Sequence, residues 1–143
     1  MLILGIGNRM RGDDGVGSIL AERLGKRNPH IPIIDAGDVP ENYLGPIENS
    51  GADLVLVLDA ADLGASPGDL SLIEMNQVKQ MGVSTHTANL GLIFRVIPKS
   101  RRPEAILLAI QPEQMEPWQG LSPSVEIAMK GLERLLTNLF QSG

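Results

Sequence analysis

The chain has 143 residues and a net charge of −5, with 43% hydrophobic and 20% charged residues. These values are typical of a soluble globular protein, and the length favours one domain, which we expect to span residues 1–143. The sequence contains no cysteine. Disulfides, thiolate nucleophiles and cysteine-ligated zinc or iron–sulfur sites are therefore excluded.

The charge and hydropathy patterns also exclude two classes of partner. Nucleic-acid binding depends on clustered cations, and the most compact basic cluster, Lys99, Arg101 and Arg102, is typical of a solvated loop between prolines. The apolar run at Leu2–Leu4 is too short for a signal peptide, and no stretch approaches the ~20 apolar residues of a membrane span. We expect a cytoplasmic monomer that binds neither nucleic acid nor membrane.

Short apolar runs alternate with amphipathic segments along the chain. In chain order, the pattern predicts strands over 2–6, 31–35, 54–58, 70–73 and 105–110. Helices are predicted from Val16 to Asn28–Pro29, near Pro40, and around 90–97. This alternation predicts an α/β fold, a three-layer α/β/α sandwich around a mostly parallel twisted sheet.

The last predicted helix has the clearest start. Ser122 is a good N-cap, and Pro123 suits the first helical position. The helical period predicts a buried stripe formed by Val125, Ala128, Met129, Leu132, Leu135, Leu136 and Leu139.

Polar residues follow several predicted strands, where open α/β sheets bind their ligands. Among these residues, Asp14, Asp59 and His86 form a mixed oxygen and nitrogen donor set suited to nickel or zinc. Three ordinary structural roles explain the same residues: a helix cap for Asp14, bonds to loop amides for Asp59, and a loop histidine for His86. Asp13, Asp35 and Asp62 lie at the same strand ends.

Two short patterns resemble known motifs but lack the chemistry. Gly5-Ile6-Gly7-Asn8 begins like a dinucleotide-binding turn, but Met10 stands where the third glycine is needed. The segment 64–68 has the letters of a nucleophile elbow around Ser66, but Pro67 has no N–H to donate to an oxyanion. We interpret the second segment as a surface turn.

A receiver-type signalling domain is the main alternative. It also uses an acidic pair after the first strand and an aspartate after the third, here Asp13, Asp14 and Asp59. It further requires a lysine before the proline that follows the fifth strand, and here Gln111 occupies that position. Without that lysine, the charge that stabilises a phosphoryl group is missing.

Taken together, the motifs resemble the hydrogenase maturation proteases. The resemblance covers nearly the whole chain, and its closest likeness is to the branch that serves formate-hydrogenlyase-type hydrogenases. Ala36 departs from the glycine found in many relatives, and some relatives have glutamate at the position of Asp14. The matching blocks, in order, are G-I-G-N-R-M-R-G-D-D-G-V-G at 5–17, D-A-G-D-V-P-E-N at 35–42, L-D-A-A-D-L-G at 58–64, S-T-H at 84–86 and A-I-Q-P at 109–112.

The resemblance implies an endopeptidase that removes the C-terminal extension from the nickel-loaded large-subunit precursor of a [NiFe] hydrogenase. It assigns Asp14, Asp59 and His86 as both the nickel contacts and the catalytic residues. The nickel would be carried by the precursor, with other divalent metals able to substitute in the isolated protein, where binding should be weak. Activation of the water is left open between the metal and one of the two carboxylates. A metal-sensing module that binds without cutting is the other alternative.

Overall fold

A computed structural model describes residues 1–80 and 82–142. Its strands are β1 (Leu2–Ile6), β2 (Ile33–Gly37), β3 (Leu54–Asp62), β4 (Leu70–Glu74), β5 (Gly82–Val83) and β6 (Glu104–Ile110). Its α-helices are α1 (Val16–Arg27), α2 (Leu44–Asn49), α3 (Thr85–Phe94) and α4 (Pro123–Ser142), with 3₁₀ turns at Gly12–Gly15, Pro40–Tyr43 and Met75–Gln80.

The sheet has the order β2-β1-β3-β6-β4. Strands β2, β1, β3 and β6 run parallel, whereas β4 pairs with β6 in the antiparallel direction. The short strand β5 pairs antiparallel with the end of β3. The prediction of an α/β fold around a mostly parallel sheet is confirmed. The chain passes from β1 to β2 on one side and then returns to β3 on the other side of β1. The carboxyl ends of β1 and β3 are therefore a topological switch point, the place where open α/β sheets form a ligand-binding crevice.

Helices cover both faces of the sheet. Alternate residues of each inner strand point to opposite faces: Val55 and Val57 join one apolar core, while Leu56 and Leu58 join the other. The first core includes residues of α2 and α3, and the second includes residues of α1 and α4. Burial on both faces explains why the β3 sequence is an unbroken apolar run.

Glycines let α1 approach the sheet closely. A Cβ at Gly17, in the first turn of α1, would lie 2.1 Å from the carbonyl oxygen of Leu58 in β3. A Cβ at Gly5 in β1 would lie 2.4 Å from the carbonyl oxygen of Gly17. The backbones therefore touch where β1, β3 and α1 meet, and this contact brings the start of α1 beside the end of β3.

Helix α4 begins at Pro123, as predicted, but its buried stripe is narrower than predicted. Val125, Met129 and Leu132 are buried, whereas Leu135 and Leu139 are 54% and 56% exposed. The prediction of burial was wrong for these two residues: Leu135 is rotated about 100° around the helix from the buried Leu136, and Leu139 lies in the last turns.

An ion-pair network joins α4 to α1. Glu133 is buried in α4 and accepts hydrogen bonds from Arg23 and Arg27 of α1, the latter at 2.7 Å. These bonds lower the pKa of Glu133 in spite of the desolvation that opposes them. Within the ranges 1–80 and 82–142, no helix combines the length and apolar character needed to cross a membrane.

Candidate active site

The loop between β1 and α1 places Asp14 at the crevice. Gly7 has a φ of +149°, and a Cβ there would lie 2.0 Å from the carbonyl oxygen of Asp14, so the loop folds tightly on itself. The backbone N–H of Asn8 donates to Oδ2 of Asp14 at 3.2 Å. Asp14 is 9% exposed. Asp14 is thus a nearly buried residue in the loop that follows β1, with one carboxylate oxygen held by the backbone.

Asp59 lies near the end of β3, on the face that α3 covers. Its Oδ2 accepts hydrogen bonds from the hydroxyls of Ser84 and Thr87, both at 2.6 Å, and its Oδ1 accepts from the backbone N–H of Ala60 at 2.8 Å. Ser84 is also the N-cap of α3, because its Oγ accepts from the backbone N–H of Thr87. The carboxyl group of Asp59 is therefore fixed at the N-terminus of α3.

Burial raises the pKa of Asp59 to about 7, and the nearby charge of Asp14 acts in the same direction. The hydrogen bonds from Ser84, Thr87 and Ala60 lower the pKa and offset only part of the desolvation. Asp59 consequently holds a carboxyl group that gains and loses its proton near neutral pH. Such a value is common among groups that take part in catalysis or binding.

His86 lies in the first turn of α3, between the two residues that bind Asp59, and it is partly buried. The structure therefore brings the elements bearing Asp14, Asp59 and His86 to one rim. It does not assemble them into a closed metal site: in the described part of the chain, no three His, Asp or Glu residues are grouped closely enough to hold an ion. Asp59 also differs from the expectation of outward-facing donors, since it is fully buried and both its oxygens accept hydrogen bonds.

Asp13, the neighbour of Asp14, binds the loop between β6 and α4 with both carboxylate oxygens. It is fully buried, and its Oδ1 accepts from the backbone N–H of Ser122 at 2.7 Å. Its Oδ2 accepts from the backbone N–H groups of Glu113 and Gln114 and from the hydroxyl of Ser122. Asp13 thus fixes the loop between β6 and α4 against the loop that carries Asp14. Sequence reasoning missed this role, and it also missed that the Ser122 hydroxyl binds Asp13.

Two other aspartates at the strand ends support the loops. Asp35 accepts hydrogen bonds from Arg9 and from the Ser18 hydroxyl, each at 2.7 Å, and so ties the Asp14 loop to β2. Asp62 accepts from the backbone N–H of Gly64 at 3.1 Å and so stabilises the turn that follows β3.

The structure also shows what Gln111 and Ser66 do in place of the receiver-domain and nucleophile roles that were rejected from the sequence. Gln111, which stands where a receiver domain needs lysine, uses its Oε1 to bind the backbone N–H groups of Leu63 and Ala65. Ser66 is exposed in a turn closed by Asp69, as predicted for a surface turn. With Asp13 engaged in a loop contact and Gln111 holding another loop, the acidic residues do not form the phosphoacceptor site of a receiver domain.

Comparison with known proteins identifies a family for this arrangement. A family described as "Hydrogenase maturation protease" (HycI) matches residues 16–139. The Hydrogenase 3 maturation protease of Escherichia coli K12 is 33% identical over 114 residues, which are 78% of this chain and 72% of that protein. The Hydrogenase 2 maturation protease of the same organism is 28% identical and covers 100% of this chain and 92% of its own length.

Solved structures agree with the sequence comparisons. The crystal structure of a [NiFe] hydrogenase maturation protease HycI from Thermococcus kodakarensis has a TM-score of 0.87 at 29% identity, covering 98% of this chain and 91% of that chain. The hydrogenase maturating endopeptidase HybD from E. coli has a TM-score of 0.81 at 28% identity, covering 99% and 93%. The likeness therefore includes the whole sheet and the loops at its carboxyl edge.

Proposed function

Since the chain belongs to the hydrogenase maturation protease family, we propose that it removes the C-terminal extension from a [NiFe] hydrogenase large-subunit precursor after nickel has been inserted. The proposed substrate is the folded precursor with nickel held by its own cysteines. Within the family, we place the chain in the branch that serves formate-hydrogenlyase-type hydrogenases. Family membership supports the protease activity, and the recognition of nickel rests on the site.

The observation that carries this proposal is the pair of carboxyl groups at the β1/β3 crevice. Asp14 is close enough to Asp59 for its charge to raise the pKa of Asp59. Bringing two carboxylates together in a buried place is costly unless a proton or a cation neutralises one of them. A cation that arrives with the substrate meets that need, and the imidazole of His86 on the neighbouring helix adds a nitrogen donor suited to nickel.

In the proposed reaction, Asp14, Asp59 and His86 contact the nickel carried by the precursor. Asp14 is 9% exposed and His86 is partly buried, so each keeps some solvent-exposed surface. Asp59 can contact the nickel only after it loses its proton and after one of the two hydroxyls stops donating to its carboxylate. Its pKa of about 7 means that the ionisation needs little free energy at neutral pH. These contacts position the peptide bond. A carboxylate of the pair accepts the proton of the attacking water and returns it to the amine that leaves when the C–N bond breaks.

The test is cleavage of a nickel-loaded precursor compared with the same precursor without nickel, read as a mobility shift. We expect the chain to cut only the loaded form. His86→Gln should slow this cleavage by at least about a hundredfold, because it removes an imidazole that contacts the nickel. The chain offers a matched control: its other histidine, His30, is exposed near the end of α1, and His30→Gln should cut at the wild-type rate.

Three outcomes would contradict parts of the proposal. Equal cutting of both precursor forms would exclude nickel recognition. Full activity of His86→Gln would remove His86 from the site. Binding of the loaded precursor without any cut would favour the metal-sensing module.

A further inference from the structure

The loop between β6 and α4 carries a feature that the reaction does not use. Trp118 is the sole tryptophan of the sequence, and it is 78% exposed. It has a φ of +65° and is the one non-glycine residue with positive φ among residues 1–80 and 82–142. A large aromatic residue in the left-handed region is unusual and strained.

The backbone strain at Trp118 is not offset by packing of its side chain. The ring of Trp118 is mostly in water, and it belongs to neither of the two apolar cores. A residue that strains its backbone and leaves a large apolar ring exposed contributes little to folding. Exposed aromatic residues on a fixed loop are instead typical of binding surfaces.

The backbone around Trp118 is fixed to the loop that carries Asp14. The N–H of Trp118 donates to the carbonyl oxygen of Met10 at 2.8 Å, and the N–H of Gly12 donates to the carbonyl oxygen of Gln119 at 3.1 Å. The buried carboxylate of Asp13 holds both ends of the same loop. Met10 is itself 54% exposed. Trp118 and Met10 together form an exposed apolar rim, only a few residues along the chain from Asp14.

We propose that this Met10–Trp118 rim is a docking surface for the large-subunit precursor and binds an apolar patch beside the C-terminal extension. The inference rests on the proposed function, because Met10 belongs to the loop that carries Asp14 and the Trp118 loop is hydrogen-bonded to that loop. Tryptophan often contributes a large share of the binding energy at protein interfaces, since its ring buries much area with few rotatable bonds. The hydrogen bonds that fix the backbone of this loop hold the Cα–Cβ bond of Trp118 in one direction before the substrate arrives, which reduces the entropy lost on binding.

The substitution that tests this proposal is Trp118→Gly. Glycine accepts the positive φ without strain, so the fold and its Tm should be preserved while the ring is lost. We expect KM for the nickel-loaded precursor to rise by at least about tenfold with kcat nearly unchanged, as for the loss of a contact present in both the bound and transition states. Ile127→Ala is the control, because Ile127 is similarly exposed, at 73%, but lies on α4. It should leave KM unchanged.

A second measurement uses the single tryptophan as a probe. Protein labelled with 5-fluorotryptophan gives one ¹⁹F resonance, and the Asp59→Asn variant prevents turnover. We expect unlabelled nickel-loaded precursor to shift that resonance, because the chemical shift reports the surroundings of the ring; broadening without a shift counts against a contact at Trp118. A resonance that instead depends on the concentration of the protein alone would show a contact between copies of this chain and overturn the proposal.

The outcomes separate this inference from the function on which it rests. If the wild type cuts the precursor while Trp118→Gly has an unchanged KM and the resonance does not move, the docking surface is wrong and the protease function stands. If the resonance responds to the precursor but no cut occurs, the docking surface stands and the protease function fails. If the precursor is neither cut nor bound, both fail.

Discussion

Two buried aspartates that follow β1 and lie near the end of β3, Asp13 and Asp59, have different surroundings. Both are fully excluded from solvent. Three backbone N–H groups and one hydroxyl donate to Asp13. Two hydroxyls and one backbone N–H donate to Asp59. The difference lies in the type of donor.

A backbone N–H can only donate, so the pocket around Asp13 is built for a carboxylate that always accepts. A hydroxyl donates to a carboxylate but also accepts from a protonated carboxyl group, because its hydrogen rotates. The hydroxyls of Ser84 and Thr87 therefore suit Asp59 in either protonation state. We conclude that Asp13 has a structural role, and that the Asp59 pocket is suited to a group that exchanges a proton.

Among the substitutions that test the difference between Asp13 and Asp59, Asp59→Asn should have the largest effect. Cleavage of the nickel-loaded precursor should fall about a thousandfold, because the amide neither ionises nor accepts a proton from water. The folded state should nevertheless gain on the order of 1–3 kcal/mol at pH 8, because a buried charge has been removed. Single-turnover cleavage and urea unfolding at pH 8 measure the two quantities. A variant that loses both activity and stability would show that Asp59 is structural, like Asp13.

The next largest effect is expected for Asp13→Asn. One accepting oxygen becomes an NH₂ group that faces N–H donors, and the unpaired donors should reduce the free energy of unfolding by about 2–4 kcal/mol. Cleavage at a temperature where the variant remains folded should fall less than in Asp59→Asn. Asp53→Asn, an exposed change at the other end of β3, is the control and should leave stability unchanged.

Stability of Asp13→Asn equal to that of the wild type would contradict the structural role. A loss of cleavage as large as that of Asp59→Asn, in fully folded protein, would place Asp13 in the reaction.

Much of the fold follows from the sequence because the relevant signals are local. The apolar run at 54–58 identified a central strand, and Ser122-Pro123 placed the start of α4 at its observed residue. The polar residues at strand ends predicted that Asp14, Asp59 and His86 lie at one edge of the sheet. The antiparallel direction of β4 was not predictable, because strand direction depends on the path of the chain between strands.

The side-chain environments of the site were not predictable in the same way. Asp13 and Asp14 are adjacent in the sequence and alike in chemistry, and only the turn at Gly12–Gly15 directs one inward and the other to the crevice. Ser84 and Thr87 bind Asp59 from 25 and 28 residues away. One signal in the sequence could have predicted these contacts, because hydroxyl residues stand at the start of a helix that lies at the same edge of the sheet. Trp118 carried no periodic or motif signal, because its backbone conformation depends on contacts with the loop at Met10.

The smallest predicted effect comes from Thr87→Val, which keeps the shape of the side chain and removes one donor to Asp59. Because that donor lowers the pKa of Asp59, its loss should raise the pKa above about 7. If cleavage requires ionised Asp59, activity rises with pH through this pKa, and the variant should lose less than about tenfold at pH 7 and recover at higher pH. The pH profile of kcat/KM measures the shift, with exposed Thr85→Val as the control.

The free energy of unfolding must also depend on pH, because the pKa of Asp59 differs between the folded and the unfolded chain. Folded Asp59 keeps its proton up to about pH 7, whereas the unfolded chain releases it near the ordinary aspartate pKa of 3.8. The folded state holds the extra proton between these values, so stability falls as pH rises from about 4 to 7 and is then level. In Thr87→Val the fall should continue to higher pH, and in Asp59→Asn it should be absent. If kcat/KM instead rises at a lower pH in Thr87→Val than in the wild type, the hydroxyls do not lower the pKa of Asp59. The proposed difference between Asp59 and Asp13 would then be wrong.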